Sequence, residues 1–87
     1  MKIDIRKINL ARGLVANLEG GHFSILHAYR NEEDVITLTV FVSSEDGETE
    51  VTLTKGETFR LDEQVWSVHS IDGDDPFDCI VEFKRID

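Results

Sequence analysis

The sequence predicts an all-β fold: a single small antiparallel β-sandwich or partly open barrel of 7–8 short strands. Three observations carry this. Apolar residues recur with a period of two along most of the chain. Turn residues interrupt that pattern at intervals of about 8–12 residues. No long window shows i, i+3, i+4, i+7 apolar spacing with caps. At 87 residues the chain makes one domain, 1–87.

The elements come in order along the chain. In Lys2–Leu10, Ile3 and Ile5 alternate with Lys2, Asp4 and Arg6, the pattern of a half-buried strand. Ile8 and Leu10 have the other parity, so a bulge or bend is expected near Lys7. Gly13 breaks the run, and Leu14–Leu18 reads as a short strand. Leu10–Leu18 is the best helical candidate, but it is short and Gly13 weakens it by about 1 kcal/mol relative to Ala. Gly20-Gly21 signals a turn before His22–Arg30, where Phe23, Ile25, His27 and Tyr29 share one face and Leu26 and Ala28 the other. A polar turn over Asn31–Asp34 leads to Val35–Ser43, with Ile36, Leu38, Val40 and Val42 on one face and Val35, Thr37, Thr39 and Phe41 on the other. Its β-branched residues suit a central strand.

Asp46-Gly47 signals a hairpin, from which Glu50–Thr54 returns with Val51 and Leu53 inward. Lys55-Gly56 turns the chain, Phe59 and Leu61 alternate with Thr58 and Arg60, and Asp62-Glu63-Gln64 turns it again. Val65–Ile71 continues with Trp66 and Val68 on one face and His69 in phase with Val65 and Ile71 on the other. After the acidic loop Asp72–Pro76 the last strand is Phe77–Ile86, with Phe77, Cys79, Val81 and Phe83 on one face. No internal repeat, low-complexity tract or linker is read from the sequence.

The chain is acidic, with 18 Asp+Glu against 9 Lys+Arg and a formal net charge of −9. The charge is uneven. Met1–Arg12 carries +3, Asn31–Glu50 carries −7 with no base, and Asp62–Asp78 carries −6 with no base. Free nucleic acid and anionic membrane are excluded as expected partners, because phosphate binding needs clustered Lys and Arg. A basic protein surface or a cation fits the balance. One cysteine allows no intramolecular disulfide and no Cys-based zinc cage. No apolar run is long enough for a membrane-spanning helix and no secretory h-region follows Met1, so the expected location is cytoplasmic.

Few residues invite chemistry. His22 and His27 stand five apart on one predicted strand, which sends them to opposite faces. Cys79 lies in phase with apolar residues and near Asp74, Asp75, Asp78 and Glu82, the setting of a small core hydrophobe rather than a nucleophile. Asp72, Asp74, Asp75 and Asp78 form the calcium candidate, since hard cations want converging carboxylates, but the stretch lacks the distal Glu and flanking helices of an EF-hand. Trp66 reads as a core or inter-sheet anchor, with an exposed anchor in a partner interface as the alternative, and Phe41 and Tyr29 have the same two readings, Phe41 standing on the Thr-rich face of its strand. No phosphate loop, dinucleotide fingerprint or nucleophile elbow is present. No catalytic residue and no cofactor are expected.

The run Leu53-Thr54-Lys55-Gly56-Glu57-Thr58-Phe59, then Val65-Trp66-Ser67-Val68 and Ile71, resembles the C-terminal half of certain small uncharacterised bacterial β proteins. Their shared pattern is an apolar residue, Gly-Asp/Glu-x-Phe, a short turn, Trp-x-Val and a final hairpin. The resemblance covers residues 51–87 and implies a compact sandwich or barrel with no agreed activity.

The expected function is a non-catalytic protein-interaction module that binds a basic protein through acidic loops and one sheet face, as an acidic inhibitor or immunity-type protein would. The expected partner-binding residues are Glu45, Asp46, Glu48, Asp72, Asp74 and Asp75, which would reinforce one another if their loops met at one end. The alternative is a small-ligand or calcium-binding β domain, with an enzyme third. A homodimer through an edge strand is a further expectation.

Overall fold

The computed structural model describes residues 5–87. Eight strands succeed one another: β1 (Lys7–Ala11), β2 (Val15–Leu18), β3 (Gly21–Arg30), β4 (Ile36–Ser44), β5 (Gly47–Leu53), β6 (Thr58–Leu61), β7 (Gln64–Asp72) and β8 (Ile80–Arg85). They form two four-stranded antiparallel sheets, ordered β1-β8-β7-β6 and β2-β3-β4-β5. The chain crosses between sheets twice, at Arg12–Leu14 and at Thr54–Glu57. The result is a sandwich. Leu10–Leu18 is not a helix but a strand end, a turn at Gly13 and β2. The predicted strand positions around Ile3 lie outside the described residues. From Lys7 to Ala11 the pairing with β8 runs without a break, so Ile8 and Leu10 face inward with no bulge at Lys7.

The core is built where alternate residues of both sheets meet. Phe23 enters from β3 and touches three rings of the other sheet. Its centroid lies 5.0 Å from Phe59, 5.0 Å from Phe83 and 5.7 Å from Trp66. The Phe59 and Phe83 contacts are edge-to-face, the geometry that ring quadrupoles favour. Leu38, Val40, Leu61, Val68 and Val81 fill the remaining space with no exposure at all.

The two halves of the chain repeat each other at an offset of 43 residues, as from Gly13 to Gly56. The pairing Val15↔Ser24 recurs as Thr58↔Ser67, Ile25↔Val40 as Val68↔Phe83, and Thr39↔Thr52 as Glu82↔Asn9. Gly13 N–H donates to Ile25 O at 3.2 Å, and Gly56 N–H donates to Val68 O at 2.8 Å. Both glycines hold a positive φ, 89° and 93°, which a side chain would strain. In sequence, Leu10/Leu53, Arg12/Lys55, Leu18/Leu61, Phe23/Trp66, Ser24/Ser67 and Ile25/Val68 correspond. The fold is therefore an internal duplication in which each half lends a strand to the other half's sheet. This corrects the expectation of no repeat.

The repeat extends to two bulges. Register shifts between Ile25 and His27 in β3, and between Val68 and Ser70 in β7, leaving Leu26 and His69 as the extra residues. Each bulge reverses the inward parity of the rest of its strand. His27 and Tyr29 therefore face outward instead of joining Phe23 and Ile25, and Ala28 is buried. Ile71 packs against the core instead of opposing Trp66. Phe77 is also displaced from its expected place. The last strand starts at Ile80, and Phe77 sits in the preceding loop, where its N–H donates to Asp75 Oδ1 at 2.9 Å.

A polar chain ties the sheets together beneath the β2–β3 and β6–β7 turns. Trp66 Nε1–H donates to Gln64 Oε1 at 3.0 Å, and Gln64 Nε2–H donates to Glu19 O at 2.8 Å. Gly21 is required beside it, because a Cβ there would collide with the carbonyl oxygen of Ser43. Trp66→Ala should cost about 3–5 kcal/mol in urea unfolding, as large-to-small core changes do. Gln64→Leu should cost about 1–3 kcal/mol by leaving the indole N–H without an acceptor.

Candidate functional site

Hairpin turns alternate between the two ends of the sandwich, and this decides where the acids gather. Gly21 pairs with Ser44, so the Glu19–Gly20 turn adjoins the Glu45–Asp46 turn. Asp62 Oδ2 would stand 3.2 Å from a Cβ on Gly20, which adds the Asp62–Glu63 turn to the same end. Those three turns hold five carboxylates and no Lys or Arg. The opposite end holds the Asn31–Asp34 loop, the Lys55–Gly56 crossover and the Asp72–Asp78 loop. Arg30 joins two of these, its guanidinium donating to the carbonyls of Asp34 and Asp74 while facing the Asp34 carboxylate at 3.5 Å. The expected meeting of Glu45, Asp46 and Glu48 with Asp72, Asp74 and Asp75 does not occur. Three strands, an odd number, separate the two turns and send them to opposite ends. Each acidic block of the sequence is split between the ends.

Glu48 belongs instead to a sheet face. On the outer side of β2–β5, register aligns His22 with Ser43 and Glu48, Ser24 with Phe41 and Glu50, and His27 with Thr39 and Thr52. Tyr29 and Thr37 extend the same rows. His27 stacks on Tyr29 with centroids 5.6 Å apart, and His22 lies 6.1 Å from Phe41. The bulge at Leu26 brings His22 and His27 to this one face, which corrects the expectation that they diverge. No Lys or Arg lies in these rows. His69 is on the outer side of the other sheet, 3.9 Å from Glu82, so it meets neither of the other histidines.

The outer side of β1-β8-β7-β6 has the opposite character. Lys7 and Lys84 flank Glu82 at 3.7 and 4.0 Å. The two broad faces of an acidic molecule thus differ in sign.

A solvent-open cavity of about 340 Å³ lies at the Arg30 end. Val35, Ile36 and Ile71 form its apolar lining, and Arg30, Lys55, Asp34 and Asp74 its polar rim. Lys55 has no carboxylate within ion-pair distance among the described residues.

Asp72, Asp74, Asp75 and Asp78 do not converge. Among the described residues no three His, Cys, Asp or Glu side chains gather closely enough to hold a metal ion. Cys79 is buried, and burial pushes its thiol up, with Asp75 and Asp78 adding to the rise. A thiol held protonated is a poor nucleophile. Glu57 closes the second crossover, its Oε1 accepting from Thr54 N–H at 2.7 Å and Thr54 Oγ1–H at 2.8 Å, and these bonds hold its carboxyl below the usual value. The sequence marks Phe41 and Tyr29 as interface candidates but not His22, His27 and Glu50, because only the bulge puts both histidines on that side.

With this geometry in place, the chain matches the Family of unknown function (DUF6406) over residues 5–87 and belongs to that family. Comparison with curated proteins and with solved structures gave no match.

The Arg85 side chain bonds Asp87 Oδ1 at 2.7 Å and lowers the Asp87 carboxyl from its usual 3.8 to about 2. A lowered folded-state value stabilises above pH 3.8, and that contribution is lost as the pH falls from 3.8 through about 2. Arg85→Ala should raise the Asp87 midpoint back towards 3.8 in a carboxyl carbon-13 NMR titration.

Proposed function

We propose that the protein is a non-catalytic interaction module that docks a basic protein surface with the outer face of β2–β5. One observation carries the reading: four rings, His22, His27, Tyr29 and Phe41, share an outer face whose β5 margin bears Glu48 and Glu50 and which has no Lys or Arg. Aromatic side chains supply contact area at low entropic cost, and carboxylates at the rim steer a cationic partner and fix its register. The adjoining Glu45–Asp46 turn extends the negative margin. An acidic inhibitor or immunity-type protein directed at a basic enzyme is the form of this function that the charge suits best. Asp72, Asp74 and Asp75 lie at the other end and act on this face only through the long-range field.

The test begins with capture of the partner from the native host and its identification by mass spectrometry. Neutralising Glu45, Asp46, Glu48 and Glu50 together should slow association about tenfold at low salt, with the effect shrinking as salt rises. The Asp72→Asn, Asp74→Asn, Asp75→Asn triple variant should change the on-rate far less. Phe41→Ala and Tyr29→Ala should raise the off-rate by about tenfold or more. An on-rate indifferent to all four β5-side acids rules the reading out.

A further inference from the structure

The internal repeat supplies a template for the cavity at the Arg30 end. Lys55 and Arg12 are equivalent, each standing immediately before the positive-φ glycine of a crossover. In the first half Arg12 lies over the ring of Phe77, with the guanidinium carbon 4.7 Å from the centroid. Phe77 comes from the β7–β8 loop, and the corresponding β3–β4 loop has Asp34 at the position 43 residues earlier. That loop brings no ring to Lys55. Lys55 instead borders the open cavity, which Ile36 and Ile71 line.

From this mismatch we infer that the cavity is a docking site for one aromatic side chain of a partner polypeptide, seated under Lys55 as Phe77 is seated under Arg12. A ring there would bury apolar surface against Ile36 and Ile71 and present its face to the ammonium. Lys55 is available for this because no carboxylate pairs with it among the described residues. Arg30 is already held by the Asp34 and Asp74 loops and serves as a fixed wall. A solvent-open volume of about 340 Å³ has room for one aromatic side chain. The Asp34 carboxylate faces Arg30, but the Asp74 carboxylate on the rim has no Lys or Arg paired with it among the described residues, and it favours a Lys or Arg beside the aromatic residue. The occupant is therefore a Phe, Tyr or Trp flanked by basic residues. A second copy of this chain is disfavoured, because two chains that each carry a net charge of −9 repel one another. The site rests on the reading of the protein as a module for basic partners, and it lies at the end opposite the Glu45–Asp46 turn.

The experiment titrates the full chain with the peptide acetyl-Lys-Phe-Lys-amide while following methyl and backbone NMR signals. The expected result is saturable ring-current shifts at Ile36, Ile71 and Lys55. The cyclohexylalanine analogue of the peptide, equal in charge and bulk, should bind about two- to fivefold more weakly, and Lys55→Gln should remove that difference. Phe77→Ala should open the equivalent place under Arg12 and add a second set of shifts there. Equal binding of the two peptides to the wild type overturns the ring site while leaving charge-driven docking intact. Absence of shifts at Ile36 and Ile71 at saturating peptide overturns it as well. Failure of the whole functional reading shows elsewhere, as a captured partner whose association ignores Glu48 and Glu50.

Discussion

Phe23 is the contact on which both sheets close. It is the one aromatic side chain that β2–β5 sends into the core among the described residues, and it meets Phe59, Phe83 and Trp66 from the facing sheet. Edge-to-face pairs of this kind add about 0.5–1.5 kcal/mol each beyond their area. The rest of the architecture serves this placement. Phe23 must point inward with Ile25 beside it, and Ala28 must also be inward to cover the far end of the core. Positions 23, 25 and 28 cannot all face one side of a regular strand, so β3 takes an extra residue at Leu26. Trp66, Val68 and Ile71 impose the same demand on β7, which takes its extra residue at His69.

The duplication makes the two sheets interdependent. β1 completes the sheet of β6–β8, and β5 completes the sheet of β2–β4. Without the other half, the β8 edge and the β4 edge would each lack a partner strand. The same symmetry explains why the molecule has two acidic ends rather than one. Equivalent turns fall at the same end, and a turn and its successor fall at opposite ends. The broad faces escape this averaging, because Lys7 and Lys84 on one side correspond to Glu50 and Phe41 on the other.

Much of this is legible in the residues. Alternation finds a run for each strand, although the last begins at Ile80 rather than Phe77, Trp66 and Cys79 lie in the core, and Tyr29 is exposed while Phe41 is half-buried on the outer face. The departures have local causes. A bulge inserts one residue without a sequence signature, so parity alone assigns His27, Tyr29 and Ile71 to the wrong faces. Parity also matches Phe77 to Cys79 and so to the last strand, although the Asp75 carboxylate bonds its N–H and holds it in the loop. The repeat is hard to see because its identities are few and scattered, and only the constant spacing reveals them. The separation of Asp72–Asp75 from Glu45–Glu48 comes from the number of strands between the turns. The cavity beside Lys55 is not legible, since its lining comes from four separate segments.

The ladder between β1 and β8 has a mechanical consequence. Lys7 opens β1 and pairs with Lys84 near the close of β8, so the chain enters and leaves these strands on the same side of the molecule. A force applied through the two strands' outer ends would load their hydrogen bonds one after another rather than all together. Such a peeling geometry gives way at low tension even in a fold that resists heat and denaturant. Because β1 belongs to the sheet of the opposite half, its detachment would also uncover the edge of β8 and the Phe83 side of the aromatic core. Tension along the chain would thus act on one of the two joints, β1–β8 and β4–β5, that hold the halves of the sandwich in register.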